Sequence, residues 1–361
     1  MKHFRAPFIC LVASAVSASG QSPNSVVFAH GAADAGSWQP AMSSLRTTYG
    51  VPTSVEFREA TNANTSPVGS WRDPIVALMG ANATSLLVGH SLGGLASRHA
   101  TAQVSAGGIL TIGAPHGGIP LAGALPSALN YAYAMSTYCS SVYNLIAPGA
   151  VYLFSGQMST EVVDLVSWLC PSMVYALVDV GARYIEQTYP SDFMSLAPGT
   201  TFLGNLPVNQ PNSVALRGTI GLGQNGGPLA LVMEPAEAES FGNTLIVNGL
   251  AIMNHGAVLE SEVDWESEHA LRTHMATIAA QEVGWNMITF AQIWCTAVTT
   301  GVFQLGSCAE HDGFVPTSKQ DWIGAAAINV LDAVHTRQPQ NSTVIGHLQD
   351  FICLRTQQCT P

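Results

Sequence analysis

The stretch Ser85-Leu86-Leu87-Val88-Gly89-His90-Ser91-Leu92-Gly93-Gly94 decides the fold. Its first four residues form a short buried-strand pattern, the residues from Leu92 to Val104 repeat with a helical period, and Gly-His-Ser-Leu-Gly lies at the junction. A serine placed between strand and helix must sit in a sharp turn. Gly89 and Gly93 remove the side chains that would collide where the backbone folds back on itself. The pattern Gly, any residue, Ser, any residue, Gly is weak alone. The strand leading in and the helix leading out give it the context of a nucleophile elbow.

Working outward, Ser25 to Ala29 is a second strand pattern, ending in His30-Gly31-Ala32, and Thr53 to Phe57 is a third. Beyond the elbow, Ile109 to Ile112 and Ser213 to Gly221 read as strands, and Ser342-Thr343-Val344-Ile345-Gly346 as the last. Trp71 to Met79 reads as a helix, and so does Ala325 to Val334. Short apolar strands joined by helices imply an α/β fold, a mostly parallel sheet with helices on both faces. The alternation breaks at Ile119 to Phe193 and again at Leu222 to Glu310. One domain carrying insertions at 119–193 and 222–310 is expected, with no internal repeat.

Composition narrows the function. The 361 residues are 47% hydrophobic and only 10% charged, with a net charge of −11. Disorder requires the opposite balance. Nucleic-acid binding requires a basic field, which twelve Lys and Arg against twenty-three Asp and Glu do not supply.

Residues 1–20 read as a signal peptide: Lys2 and Arg5, an apolar run from Ala6 to Val16, then small residues up to Gly20. That run is short of the ~20 residues that span a bilayer, so no stable membrane span is expected. Export agrees with the six remaining cysteines, whose proximity suggests Cys139–Cys170, Cys295–Cys308 and Cys353–Cys359 disulfides. Asn64, Asn82 and Asn341 begin glycosylation sequons.

A serine hydroxyl needs a base, and the base an orienting acid. On a sheet of this type the acid follows the serine in the chain and the histidine follows the acid. Asp312, in an Asp-Gly turn, is the expected acid, with Glu310 and Asp321 as fallbacks. His347, just past the expected last strand, is the expected base, while His335 reads as a surface histidine beside a loop. Backbone N–H donors for an oxyanion are expected at Leu92 and Ala32, with His30 and His90 orienting loops rather than doing chemistry.

These motifs together resemble the true lipases of the α/β-hydrolase superfamily. The residues that carry the resemblance are Phe28-Ala29-His30-Gly31, Gly89 to Gly94, Gly113-Ala114-Pro115-His116-Gly117-Gly118 and Asp312-Gly313-Phe314-Val315-Pro316. Met194 to Gly199 with Phe202 to Leu206 is similar to the segment by which such lipases return from lid to sheet. The resemblance implies hydrolysis of acyl esters of lipids through a seryl acyl-enzyme, with Ser91, Asp312 and His347 as the triad and no cofactor. Phospholipases, thioesterases and acyltransferases use the same triad, and a catalytically dead fold serving as a binding module is the remote alternative.

The insertions bear on substrate. No Asp, Glu, Lys or Arg occurs in the sixty-two residues from His99 to Thr160, and none from Val283 to Ala309. Ordinary core is one reading; a lid and acyl groove, burying a chain at ~0.8 kcal/mol per methylene, is the other. Eight acids between Glu234 and Glu268, without Lys or Arg, suit a solvated acidic face, with a structural calcium loop as the alternative. The expected partner is an ester substrate at a lipid–water interface; oligomeric state is left open.

Overall fold

A computed structural model describes residues 23–32, 38–62, 66–80, 85–123, 192–220 apart from 209 and 211, 270–302 and 304–359, with single residues of a helical stretch between 240 and 261. The signal segment, Asn64, Asn82, residues 124–191 of the first insertion with Cys139 and Cys170, and the acids from Glu262 to Glu268 lie outside the described residues.

Six strands form one all-parallel sheet: β1 (Ser25–Ala29), β2 (Glu56–Ala60), β3 (Leu86–His90), β4 (Gly108–Ile112), β5 (Ser213–Thr219) and β6 (Ala326–Leu331). Their order is β2-β1-β3-β4-β5-β6, so the chain first runs outward from β1 to β2 and then returns to build the other half. The direction of winding reverses between β1 and β3. In an open parallel sheet the crevice outside the strand C-termini at such a reversal is where ligands bind.

Every residue of β1, β3 and β4 is buried, because helices cover both faces. On one face Val26, Phe28, Leu86, Val88, Leu110 and Ile112 meet α1 (Trp38–Thr47) and the C-terminal helix, here α5 (Ser342–Thr356). The alternating residues Val27, Leu87 and Ile109 belong to the face that carries α2 (Asp73–Met79) and α3 (Leu92–Ala100). The outer strands are less covered: β2 and β6 bury one residue each, Ala60 and Val330.

Two expected elements change type. Ser342 to Gly346 is not the last strand but the first turn of α5. Asn341 Oδ1 accepts from the Thr343 and Val344 amides at 2.9 and 3.3 Å, a helix N-cap, and the buried Val344, Ile345, Leu348, Phe351 and Ile352 recur with helical spacing. Conversely, Ala325 to Val334 is not a helix. Its Ala-rich sequence favours helix locally, yet pairing with β5 from Val214↔Ala326 to Thr219↔Leu331 makes it β6. The sheet therefore ends one element earlier in the chain than expected.

The chain divides into two compact units, the first made of residues 1–118, 189–219 and 317–361, the second of 119–188 and 220–316. In the second unit, α4 (Ala270–Thr300) carries much of the uncharged segment beginning at Val283. Among the described residues no helix is long and apolar enough to cross a membrane. Cys295 on α4 pairs with Cys308 at a Cα separation of 5.5 Å, and in the first unit Cys353 pairs with Cys359 at 5.1 Å. Both are expected pairings, of the kind that persists in oxidising compartments.

Candidate functional site

Ser91 stands between β3 and α3 with φ 51° and ψ −123°, a backbone region that costs roughly 1–3 kcal/mol for a residue with a side chain. The surroundings hold it there. The Ser91 amide donates to the Ile112 carbonyl at 2.9 Å and the Gly94 amide to the Ser91 carbonyl at 3.0 Å. A Cβ on Gly89 would overlap the Gly93 backbone, and one on Gly93 would overlap the carbonyls of Ala29 and His30. The glycines thus let the helix after Ser91 press against the loop after β1.

The histidine brought to this serine is His335. Its Nε2 lies 2.8 Å from Ser91 Oγ, with both residues buried. His335 comes four residues after Leu331, the end of β6. Its approach is fixed by the Ala333 amide, which donates to the Thr219 carbonyl at 3.1 Å, and by Gln338 Nε2, which donates to the Ala333 carbonyl at 3.2 Å. His90 adds a further tie: its Nε2 donates to the His335 carbonyl at 2.8 Å, and the two rings lie 5.1 Å apart.

His347, the expected base, sits instead in the second turn of α5, half-buried, where desolvation lowers its pKa against the opposing pull of Asp350. That expectation rested on a last strand at Ser342, which is instead the first turn of α5. With β6 in its observed place, the rule that the base follows the last strand selects His335. In the sequence only the single step Ile328-Asn329-Val330 alternates as a strand does, too short a run to select this segment.

In the second unit, Asp312 is fully buried in a tight turn. Its Oδ1 accepts from the Phe314 and Val315 amides at 3.1 and 2.8 Å, its own amide donates to the Val315 carbonyl at 3.2 Å, and His311 bridges to Pro316. The Ile220 amide, one residue past β5 in the chain, donates to the His311 carbonyl at 2.9 Å. Of the fallback acids, Glu310 is exposed, and Asp321 in the first unit is ion-paired with Arg217 at 2.7 Å.

His311 lies with Cys295 and Cys308 in a group whose ligand atoms are all within 4.8 Å. Its ring does not suit a metal. Nδ1 accepts from the Gly313 amide at 2.8 Å, and burial lowers its pKa to about 4. The neutral ring therefore carries its proton on Nε2, which leaves a donor where a metal needs a lone pair. With the two sulfurs joined, the group is a disulfide beside a neutral imidazole. Of the acidic run, Glu260 accepts from Gln281 Nε2 at 2.8 Å, and His274 Nδ1 lies 3.4 Å from its other oxygen.

The expected oxyanion donors both lie in the first unit. Leu92, 1% exposed, opens α3, and Ala32 follows the β1 loop at 9% exposure. His116, in the loop after β4, is buried against Trp322 with ring centroids 4.6 Å apart, and its Nε2 lies 3.0 Å from Thr111 Oγ1. Desolvation, with Arg98 nearby, holds its pKa well below the usual value and keeps it neutral. Compared with models of known protein families the chain matches none, and no curated protein matches it in sequence.

Proposed function

We propose that this chain is an exported serine hydrolase of α/β-hydrolase type that cleaves carboxylic esters of lipids through a seryl acyl-enzyme. The observation that carries the reading is the 2.8 Å approach of His335 Nε2 to the hydroxyl of a serine held at positive φ. A strained serine at the end of a central strand, beside a buried imidazole, is the geometry that nucleophilic catalysis requires.

In this reading His335 takes the Ser91 proton as Oγ attacks the substrate carbonyl. The negative charge that develops on the carbonyl oxygen meets the Leu92 and Ala32 amides. Collapse of the tetrahedral intermediate releases the alcohol, which takes the proton from His335 Nε2 and leaves an acyl-serine. Water, deprotonated by the same nitrogen, then releases the acid. Asp312 is the acid assigned to orient His335 and stabilise its charged form; its burial and its closely tied turn support that role over Glu310 and Asp321.

Of the uncharged segments, His99 to Ile112 is the end of α3 and β4, ordinary core; the preference for lipid esters rests on the remainder up to Thr160 and on Val283 to Ala309, whose composition suits a lid and an acyl groove. Phospholipase, thioesterase and acyltransferase activities share the same chemistry, so the leaving group and chain length separate them. Hydrolysis of p-nitrophenyl esters from acetyl to palmitoyl, followed by glyceride, phospholipid and thioester substrates, tests the proposal. Hydrolysis that rises with chain length and is lost in Ser91→Ala supports it. Turnover unchanged in Ser91→Ala removes the nucleophile, and a strict short-chain preference removes the lipid substrate.

A further inference from the structure

His30 follows β1, is 2% exposed, and uses both ring nitrogens. The Asn62 amide donates to Nε2 at 3.0 Å. A backbone amide can only donate, so Nε2 holds a lone pair and the proton of the neutral ring is on Nδ1. Nδ1–H then donates to the Gly31 carbonyl, 2.6 Å away. The ring is also held by an edge contact with Trp71, centroids 5.5 Å apart, and the Trp71 carbonyl accepts from Asn62 Nδ2 at 2.9 Å.

The Gly31 carbonyl and the Ala32 N–H belong to one planar trans peptide and point in opposite directions. Fixing the carbonyl toward the imidazole therefore fixes the N–H on the far side of that plane. Just upstream, the Ala29 and His30 carbonyls abut Gly93 of α3, where a Cβ would overlap both. The chain entering this peptide is clamped by the helix that follows Ser91, and the peptide's own carbonyl by His30. Glycine has little preference for either orientation of its peptide, so the constraint has to come from a neighbouring side chain. A flipped peptide would present a carbonyl oxygen where a donor is wanted.

We infer that His30 is a positioning residue: through its Nδ1–H bond to the Gly31 carbonyl it sets the direction of the Ala32 N–H and so prepares one half of the oxyanion site. The inference rests on the reading of Ser91 as an acyl-transfer nucleophile.

Two substitutions separate the roles of the two ring nitrogens. In His30→Asn the amide Nδ2 can replace Nδ1 and donate to the Gly31 carbonyl, while the bond from Asn62 is lost. In His30→Gln the amide oxygen can replace Nε2 and accept from Asn62, while the donor to Gly31 is lost. The measurements are kcat and KM on a p-nitrophenyl ester, the Ki of a trifluoromethyl ketone that forms an oxyanion on Ser91, and Tm. His30→Asn is expected to stay within about tenfold of wild type. His30→Gln is expected to lose about 10²–10³ in kcat with KM nearly unchanged, and ketone affinity should fall by a similar factor. A fully active His30→Gln, or equal losses in both variants accompanied by a lower Tm, overturns the inference. If a fluorophosphonate fails to label Ser91 in the wild type, the underlying reading fails instead.

Discussion

Ser91 Oγ and His335 Nε2 are 2.8 Å apart, and the main chain of that same histidine is held by the residue before the serine. His90 Nε2 reaches the His335 carbonyl at 2.8 Å, so residues 90 and 91 grip one partner at two points. One bond sets the distance over which the proposed proton transfer would occur, and the other fixes the backbone from which the imidazole extends.

His335→Ala should therefore lower kcat on p-nitrophenyl esters by several powers of ten, whereas His347→Ala should change it less than tenfold. Steady-state kinetics on the two variants side by side check this. A larger loss in His347→Ala would restore the assignment that the sequence first suggested.

Asp312→Asn keeps an oxygen to accept from the Phe314 and Val315 amides while removing the charge. The turn should hold, with Tm shifted by only a few degrees, and kcat should fall by about 10⁴. A greater loss in Glu310→Gln or Asp321→Asn would move the acid elsewhere.

Gly218 on β5 faces the segment that delivers His335. A Cβ there would meet Gln338 Nε2 and the Ala333 carbonyl, and Gln320 Oε1 already accepts from the Gly218 amide at 2.8 Å. Gly218→Ala should displace the histidine's anchors and cost about tenfold to a hundredfold in kcat, mostly without change in KM. Kinetics at wild-type levels would show that the segment adapts freely.

His311 gives a pH dependence whose sign is fixed. Burial lowers its folded pKa to about 4 from the ordinary 6.5, so between these values the unfolded chain binds the extra proton. Stability from this residue is complete above about pH 6.5 and declines as the pH falls toward 4, by about 3 kcal/mol at most. His311→Asn, whose Oδ1 can still accept from the Gly313 amide, should flatten the pH 4–6.5 limb of a denaturant-midpoint curve. An identical acid limb in that variant would contradict the assignment.

The half of the sheet around the elbow was legible because β1, β3 and β4 are buried on both faces and so read as continuous apolar runs. Gly89 and Gly93 marked the turn because only residues without a Cβ fit against the Gly93 and Ala29 backbones. The last strand was not legible. Its exposed alanines, Ala326 and Ala327, carry no strand signal, and pairing with β5 alone makes them a strand. Ser342-Thr343-Val344-Ile345 misled in the opposite sense, since β-branched residues favour strand locally while the Asn341 cap and the buried face of α5 decide for helix. That exchange is why the sequence pointed to His347 while the structure sets His335 beside Ser91. His335 itself gave no sign of burial, because the carbonyl-to-imidazole bond from His90 joins residues 245 apart in the chain.

The most direct measurement is fluorophosphonate labelling followed by mass spectrometry of the labelled peptide, in wild type and in His335→Ala. The account predicts one adduct per chain, on Ser91, forming at least a hundredfold more slowly in the variant. No adduct, an adduct on another residue, or an equal rate in both proteins would contradict it.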